Sequence, residues 1–435
     1  MQNREKINLI WFRNNLRVND NHILVEACKS ETKVVAIYCL DPRQFEVDEF
    51  GFKKTEYYRA KFLLETLENL QRNLEKLNIS LLVYFAKPED KISDLNTQFD
   101  IDNIYAQLEW TKEEALVSKN VQSVLSQSVK YHEFYDQFLY HPNDIPLAFN
   151  EIPQVFTNFR KIVQKQSKVR VLKIPKTLAE SNRIKDSTPI PTIENLGFET
   201  TAIDHRTAFP FKGGETEALE RLEYYFFETK KLGVYKKTRN GLVGKDYSSK
   251  FSAWLANGSI SARTIYWQVK HYEKTIHKND STYWLIFELL WRDYFKYVSF
   301  KHGNSTFKRE GILQKTYHWN TDQRLLRDWI NGTTKEPFVN ANMIELKNTG
   351  WMSNRGRQNV ASYFAKDLML DWRIGAAYFE SMLIDYDVHS NYGNWMYVSG
   401  VGNDPRDRKF NINLQASRYD ANHKYRNLWL QETLF

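Results

Sequence analysis

Ile7-Asn8-Leu9-Ile10-Trp11-Phe12 is an apolar run near the start of the chain that reads as a buried strand, and Arg13-Asn14-Asn15-Leu16-Arg17 follows it directly. That second stretch has no glycine, so the tight turn by which a conventional dinucleotide site cradles its phosphates is not expected there. Working outward, Val34–Cys39, Leu81–Phe85 and Asn103–Ala106 repeat the short β-rich pattern. Between them, Tyr57 to Leu77 places Phe62, Leu63, Leu67, Leu70, Leu74 and Leu77 on one helical face. Strand, helix and strand in series predict a doubly wound parallel sheet, an α/β domain over residues 1–130.

From Tyr131 to Arg206 the sequence turns polar and weakly periodic, with Pro142, Pro146, Pro153, Pro175, Pro189 and Pro191. It reads as an interdomain connector over 131–206. Beyond Gly213-Gly214 the patterns become helical, strand signals do not return, and no internal repeat is found. A large all-α domain over 207–435 is expected.

A length of 435 residues exceeds what one core usually supports. Hydrophobic residues at 42% and charged residues at 26% are ordinary, whereas 15% aromatic, with 12 Trp, 25 Tyr and 27 Phe, is high. That excess is either packing material or a functional device. The 61 Lys and Arg against 53 Asp and Glu give a net charge of +8, which favours polyanions, nucleic acid first; a basic surface with no specific partner is the alternative. Two cysteines, Cys28 and Cys39, support neither a disulfide framework nor a structural metal site, so a reducing cytoplasm is expected. Met1 to Lys6 is polar, without the apolar run of a signal peptide or membrane helix.

Three stretches carry chemistry. Asp246-Tyr247-Ser248-Ser249-Lys250-Phe251-Ser252 sets hydroxyls and one cation ahead of a helical pattern, as a phosphate or pyrophosphate requires; N-capping by serine is the alternative. In Tyr283 to Phe295, Glu288, Trp291 and Arg292 share one helix face. A carboxylate beside an indole suits a flat base, while a structural Glu288–Arg292 pair is the alternative. Towards the C-terminus, Asn348 to Gln358, Asp371-Trp372-Arg373, Asp385-Tyr386-Asp387 and Asn391 to Tyr397 suit a buried polar ligand. Buried charge must be paired, so Arg357 is expected to meet Asp385 or Asp387.

Taken together, Trp11 to Arg17, Glu288 to Asp293, Thr349 to Arg355 and Asn391 to Trp395 resemble the cryptochrome/photolyase family, in order and across nearly the whole chain. Tyr38 to Arg43, Thr238-Arg239-Asn240-Gly241 and Asp246 to Ser252 are more similar to its DASH branch than to others.

The resemblance implies a U-shaped FAD in the helical domain. Tyr235, Ser248, Ser249, Lys250, Phe251 and Ser252 match positions near its phosphates. Asn354, Arg357, Asp385, Tyr386 and Asp387 match positions around the rest of the cofactor, and Asn391 matches the residue that faces the flavin N5, where a neutral amide serves several redox states. Trp395, Trp372 and Trp329 match the chain of three tryptophans that carries a hole from the flavin to the surface. Glu288 and Trp291 match residues that also reach a flipped pyrimidine dimer, with Asn354, Arg355, Gln358 and Tyr397 in the same DNA-binding set.

The implied activity is repair of cyclobutane pyrimidine dimers in DNA by light-driven electron transfer, with no metal. Tyr397 stands where conventional photolyases place a tryptophan. A smaller wall there recovers less unstacking energy, so lesions in single strands or loops are the expected substrates. The resemblance also allows 5,10-methenyltetrahydrofolate as an antenna between the domains, with Glu109 its candidate contact; a surface carboxylate at a strand end is the alternative. A blue-light signalling photoreceptor needs the same flavin and is the competing function. The chain's end at Phe435, soon after the last motif, favours repair. A nucleic-acid-binding module without photochemistry is a third reading. A monomer is expected.

Overall fold

The computed structural model describes residues 4–185 and 188–431; Met1–Asn3 of the polar start and the terminal Phe435 lie outside the described residues. Five parallel strands, β1 (Lys6–Trp11), β2 (Lys33–Leu40), β3 (Ser80–Phe85), β4 (Asp100–Gln107) and β5 (Lys130–Phe134), form one sheet in the order β3-β2-β1-β4-β5. Strand alternation sends Ile7, Leu9 and Trp11 to one face and Ile10 to the other, so β1 is buried on both. The helix Tyr57–Glu75 covers one face with Leu67, Leu70 and Leu74, and Ile92, Leu95 and Val121 of two further helices cover the other.

β5 departs from the sequence reading, since the sheet continues to Phe134, past the boundary expected at residue 130. None of its five residues is fully buried, so this edge strand shows no apolar run. The connector also divides. Phe138 to Val169, with the helix Phe156–Gln166, joins the core of the helical half, while Leu178, Ile190 and Leu196 pack on one of the sheet cores.

The glycine-free loop after β1 docks the two halves. Leu16 donates its amide to Asn257, Arg17 reaches the Gly258 carbonyl, and Glu215 accepts from the amides of Val18 and Asn19. Gly258 has φ +74°, and a Cβ there would meet the Asn14 carbonyl oxygen at 2.1 Å, so only glycine allows this approach. Asp136 binds both Arg17 (2.7 Å) and Arg263 (2.8 Å), and Arg263 also holds Asp20 (2.8 Å), a buried network across the junction.

Beyond Gly214 the described residues form helices around the long Asp280–His302, which Asn279 caps by accepting from the Ser281 and Thr282 amides. No helix among the described residues is long and apolar enough to cross a membrane.

Candidate functional site

A chamber opens between the segment around Lys250 and the helices Asn354–Ser362 and Val388–Ser399. Tyr235, Ser248 to Ser252, Arg239, Glu288 and Arg292 line it. Serine N-capping does not explain these hydroxyls, because Ser252 opens a helix of five residues capped by Phe251 without a side-chain bond. Lys250 is held at φ +67° with its Nζ buried and without a hydrogen-bond partner, 3.3 Å from the Tyr247 ring centroid. Burial pushes its ammonium well below the ordinary value; Glu345 favours the charged form, and Arg221 and Arg357 oppose it. An unpaired buried cation calls for an anion.

A second lobe shares Asn354, Arg357, Asp385, Asp387 and Ser390 with the first and adds Tyr386, Asn391 and Trp395. Arg357 grips Asp385 at 2.9 and 3.0 Å, one of the two pairings expected. Asp387 belongs instead to Lys296 at 3.0 Å, with Arg292 at 3.8 Å. Burial alone would raise the Asp387 carboxyl, but Lys296 and Arg292 outweigh it and hold it far below the usual carboxylate range. Asn391 donates one amide hydrogen to the Ala376 carbonyl (2.9 Å), which orients its carboxamide in the wall.

An outer basin lies beyond this chamber and shares with it Arg239, Glu288, Arg292, Asn354 and Ser390. Arg239 Nη1 lies 2.7 Å from Glu288 Oε1, so the expected alternative, a Glu288–Arg292 pair, does not form. Arg292 is spent on the carbonyls of Gln137 (2.6 Å) and Leu255 (2.8 Å). Burial raises the Glu288 carboxyl against the pull of Arg239. Trp291, expected at both cofactor and DNA, lines only the outer basin. Its ring stacks on Phe156 at 3.7 Å and meets the edge of Tyr397 at 6.0 Å. Arg355, Gln358 and Arg408 complete the rim, Arg408 donating to the Tyr397 hydroxyl at 2.8 Å. The sequence reading assigned no role to Arg239, Phe156 or Arg408.

The indoles separate into two kinds. Trp395 lines the inner lobe, and its ring lies against Gly375, where a Cβ would meet it at 2.2 Å; Gly375 is one turn along the helix that Trp372 begins. Trp329 packs on Trp395 at 6.3 Å, is fully buried and donates to the Val360 carbonyl. A ring so enclosed offers no way out to solvent, which counts against it as the outer member expected from the sequence. Trp319 lies nearer the surface. Its neighbour Asn320 bridges to Leu370, and it lines a surface cleft with Arg309, whose carbonyl accepts from Trp372 Nε1 at 3.0 Å.

Between the halves, a cleft runs along the carboxyl ends of β1 and β4, where the strand order reverses. Glu109 lines it and is buried, so it is not the surface carboxylate of the alternative reading; burial raises its carboxyl against Arg13 and Lys296. Gln107 Oε1, Gln137 Oε1 and His389 Nε2 are buried in this region without partners.

The residues present fit FAD. Lys250 supplies an unanswered cation for the diphosphate, and the second lobe sets Asn391 and Trp395 beside the acids Asp385 and Asp387.

Comparison with known proteins agrees. Residues 284–434 match a family model described as the FAD binding domain of DNA photolyase, and residues 8–179 match one described as DNA photolyase. A cryptochrome DASH of Gloeobacter violaceus is 48% identical over 98% of this chain and 85% of its own. The solved structure of a Synechocystis cryptochrome superposes with a TM-score of 0.93 at 45% identity, covering 99% of this chain and 89% of that one. A class III photolyase of Agrobacterium tumefaciens shares the fold at 24% identity, with a TM-score of 0.83 over 99% of this chain and 87% of that one.

Proposed function

Since the chain belongs to the cryptochrome/photolyase family, in its DASH branch, we propose that it uses light to split cyclobutane pyrimidine dimers and that it prefers lesions in single-stranded or looped DNA. The observation that carries this reading is the wall of Arg239, Glu288, Arg292, Asn354 and Ser390 common to the flavin chamber and the outer basin. A ligand in the outer basin sits against the cofactor with only that wall beside them.

Bound FAD, once reduced, supplies the electron that light drives into the dimer and that returns after splitting. The chain's own residues position and stabilise. Trp291, made rigid by Phe156 behind it, gives an extruded base a stacking surface. Glu288 reaches from the shared wall to hydrogen-bond the dimer, and the buried setting strengthens that bond. Arg355 and Arg408 give the rim positive charge for the phosphate backbone. Tyr397 offers less stacking area than an indole would, so less of the cost of flipping a paired base is recovered. Trp395, Trp372 and Trp319 form the path by which the flavin is reduced. The interdomain cleft, with Glu109 and the unpartnered amide oxygens of Gln107 and Gln137, is the place for a folate antenna.

Binding in the dark tests the substrate. Flavin-loaded protein should hold a dimer-containing single strand more tightly than the same strand undamaged, and the preference should vanish in Trp291→Ala. Equal affinity for damaged and undamaged strands would remove the outer basin as a lesion site.

A further inference from the structure

We propose that Tyr317, not a tryptophan, is the terminal electron donor of this chain, passing its phenolic proton to Asp407 as it is oxidised; the assignment rests on the relay reading above. Its ring lies 5.2 Å from that of Trp319, the nearest-surface indole of the path. The Tyr317 hydroxyl donates to Asp407 Oδ2 at 3.0 Å, and the Lys366 ammonium sits 4.9 Å from the Tyr317 ring centroid and 2.5 Å from the same carboxylate.

The carboxylate is placed for this by the end of the helix that carries Trp395. Gly400 closes that helix at φ +82°, and a Cβ at Gly400 would meet Asp407 Oδ1 at 1.9 Å, so the glycine admits the carboxylate. Burial would raise the Asp407 carboxyl, yet Lys366 and Tyr317 together hold it below the ordinary value, so it is ionised and ready to accept. Burial and the neighbouring carboxylate push the Tyr317 phenol up to about 12, so it is protonated and has a proton to give.

The step balances. A hole reaching Trp319 leaves an indole radical cation, which takes one electron from the Tyr317 phenol. The phenolic O–H bond breaks and its proton moves to Asp407 Oδ2. The products are neutral Trp319, a neutral Tyr317 phenoxyl radical and a neutral Asp407 carboxylic acid, which later returns its proton to water. Because the proton has left the phenol, the electron cannot return to Trp319 without it, and the charge-separated state lives longer.

The test is transient electron paramagnetic resonance on the flavin-loaded protein after a flash, with a spectrophotometric phenol titration of the same samples. The wild type should end in a phenoxyl signal; Tyr317→Phe should end in a shorter-lived indole radical with the flavin still bound. Asp407→Asn should lower the phenoxyl yield and bring one phenol titration down towards its ordinary value. A phenoxyl signal that persists in Tyr317→Phe, or a wild type that ends in an indole radical, overturns the assignment alone. A wild type with no protein radical of either kind overturns the relay itself, and Tyr317 with it.

Discussion

Arg239 and Glu288 meet at 2.7 Å in the wall between the flavin chamber and the outer basin, joining the short helix Tyr235–Thr238 to the long central helix. The pair keeps a half-buried carboxylate from standing alone.

Removing that carboxylate should weaken lesion binding. Glu288→Ala loses a bond to the dimer and strands Arg239, at a cost of about 1.5–3 kcal/mol for a hydrogen bond to a charged group. That is roughly tenfold to a hundredfold in affinity. Glu288→Gln keeps a donor and an acceptor and should lose less. Fluorescence anisotropy with a dimer-containing strand in the dark orders the three proteins.

Lys250 gives flavin binding a pH dependence. In the free chain its ammonium titrates well below 10.5, because it is buried without a partner. A bound diphosphate restores the charge, so binding takes up a proton wherever the pH lies between the lowered and the restored values. Affinity should be flat below that window and fall as pH rises through it. Lys250→Met should remove the slope and cost about 1.5–3 kcal/mol at low pH, read by flavin fluorescence titration.

The two buried-indole assignments separate by substitution. Trp319→Phe should slow photoreduction of the flavin. Trp329→Phe should leave photoreduction intact but lower the melting temperature, since Trp329 is fully buried and loses packing volume, at less than the roughly 3–5 kcal/mol of a truncation to alanine. Absorption during continuous illumination, with a melting curve for each variant, distinguishes them.

Asp136 holds the halves together. Asp136→Ala leaves Arg17 and Arg263 buried with one partner fewer, a loss of about 3–5 kcal/mol. Unfolding of this variant should become less cooperative, with the sheet domain and helical domain melting apart in calorimetry.

The sheet was legible where both of its faces are buried, because that condition produces the apolar runs of β1, β2 and β3. β5 was not, since none of its five residues is fully buried and no apolar run is demanded. The chamber's residues stood out through the family resemblance, and Lys250, Asn354, Arg357, Asp385, Asp387 and Asn391 do converge on it. What spacing could not supply was pairing between distant segments. Arg239 with Glu288 and Phe156 behind Trp291 are choices made by tertiary packing. The tryptophans show the same limit: Trp319 and Trp329 lie close in sequence, yet one borders a surface cleft and the other is sealed against Trp395.

Dimer loss under light is the most direct measure of the central claim. Flavin-loaded protein, chemically reduced beforehand and kept anaerobic, is illuminated with dimer-containing single-stranded and duplex oligonucleotides, and the intact pyrimidines are counted. Restored pyrimidines in both, faster in the single strand and still formed by Trp395→Phe because prereduction bypasses the relay, are the predicted result. Dimers that survive illumination despite bound, reduced flavin and bound DNA would contradict it and leave a photoreceptor without repair.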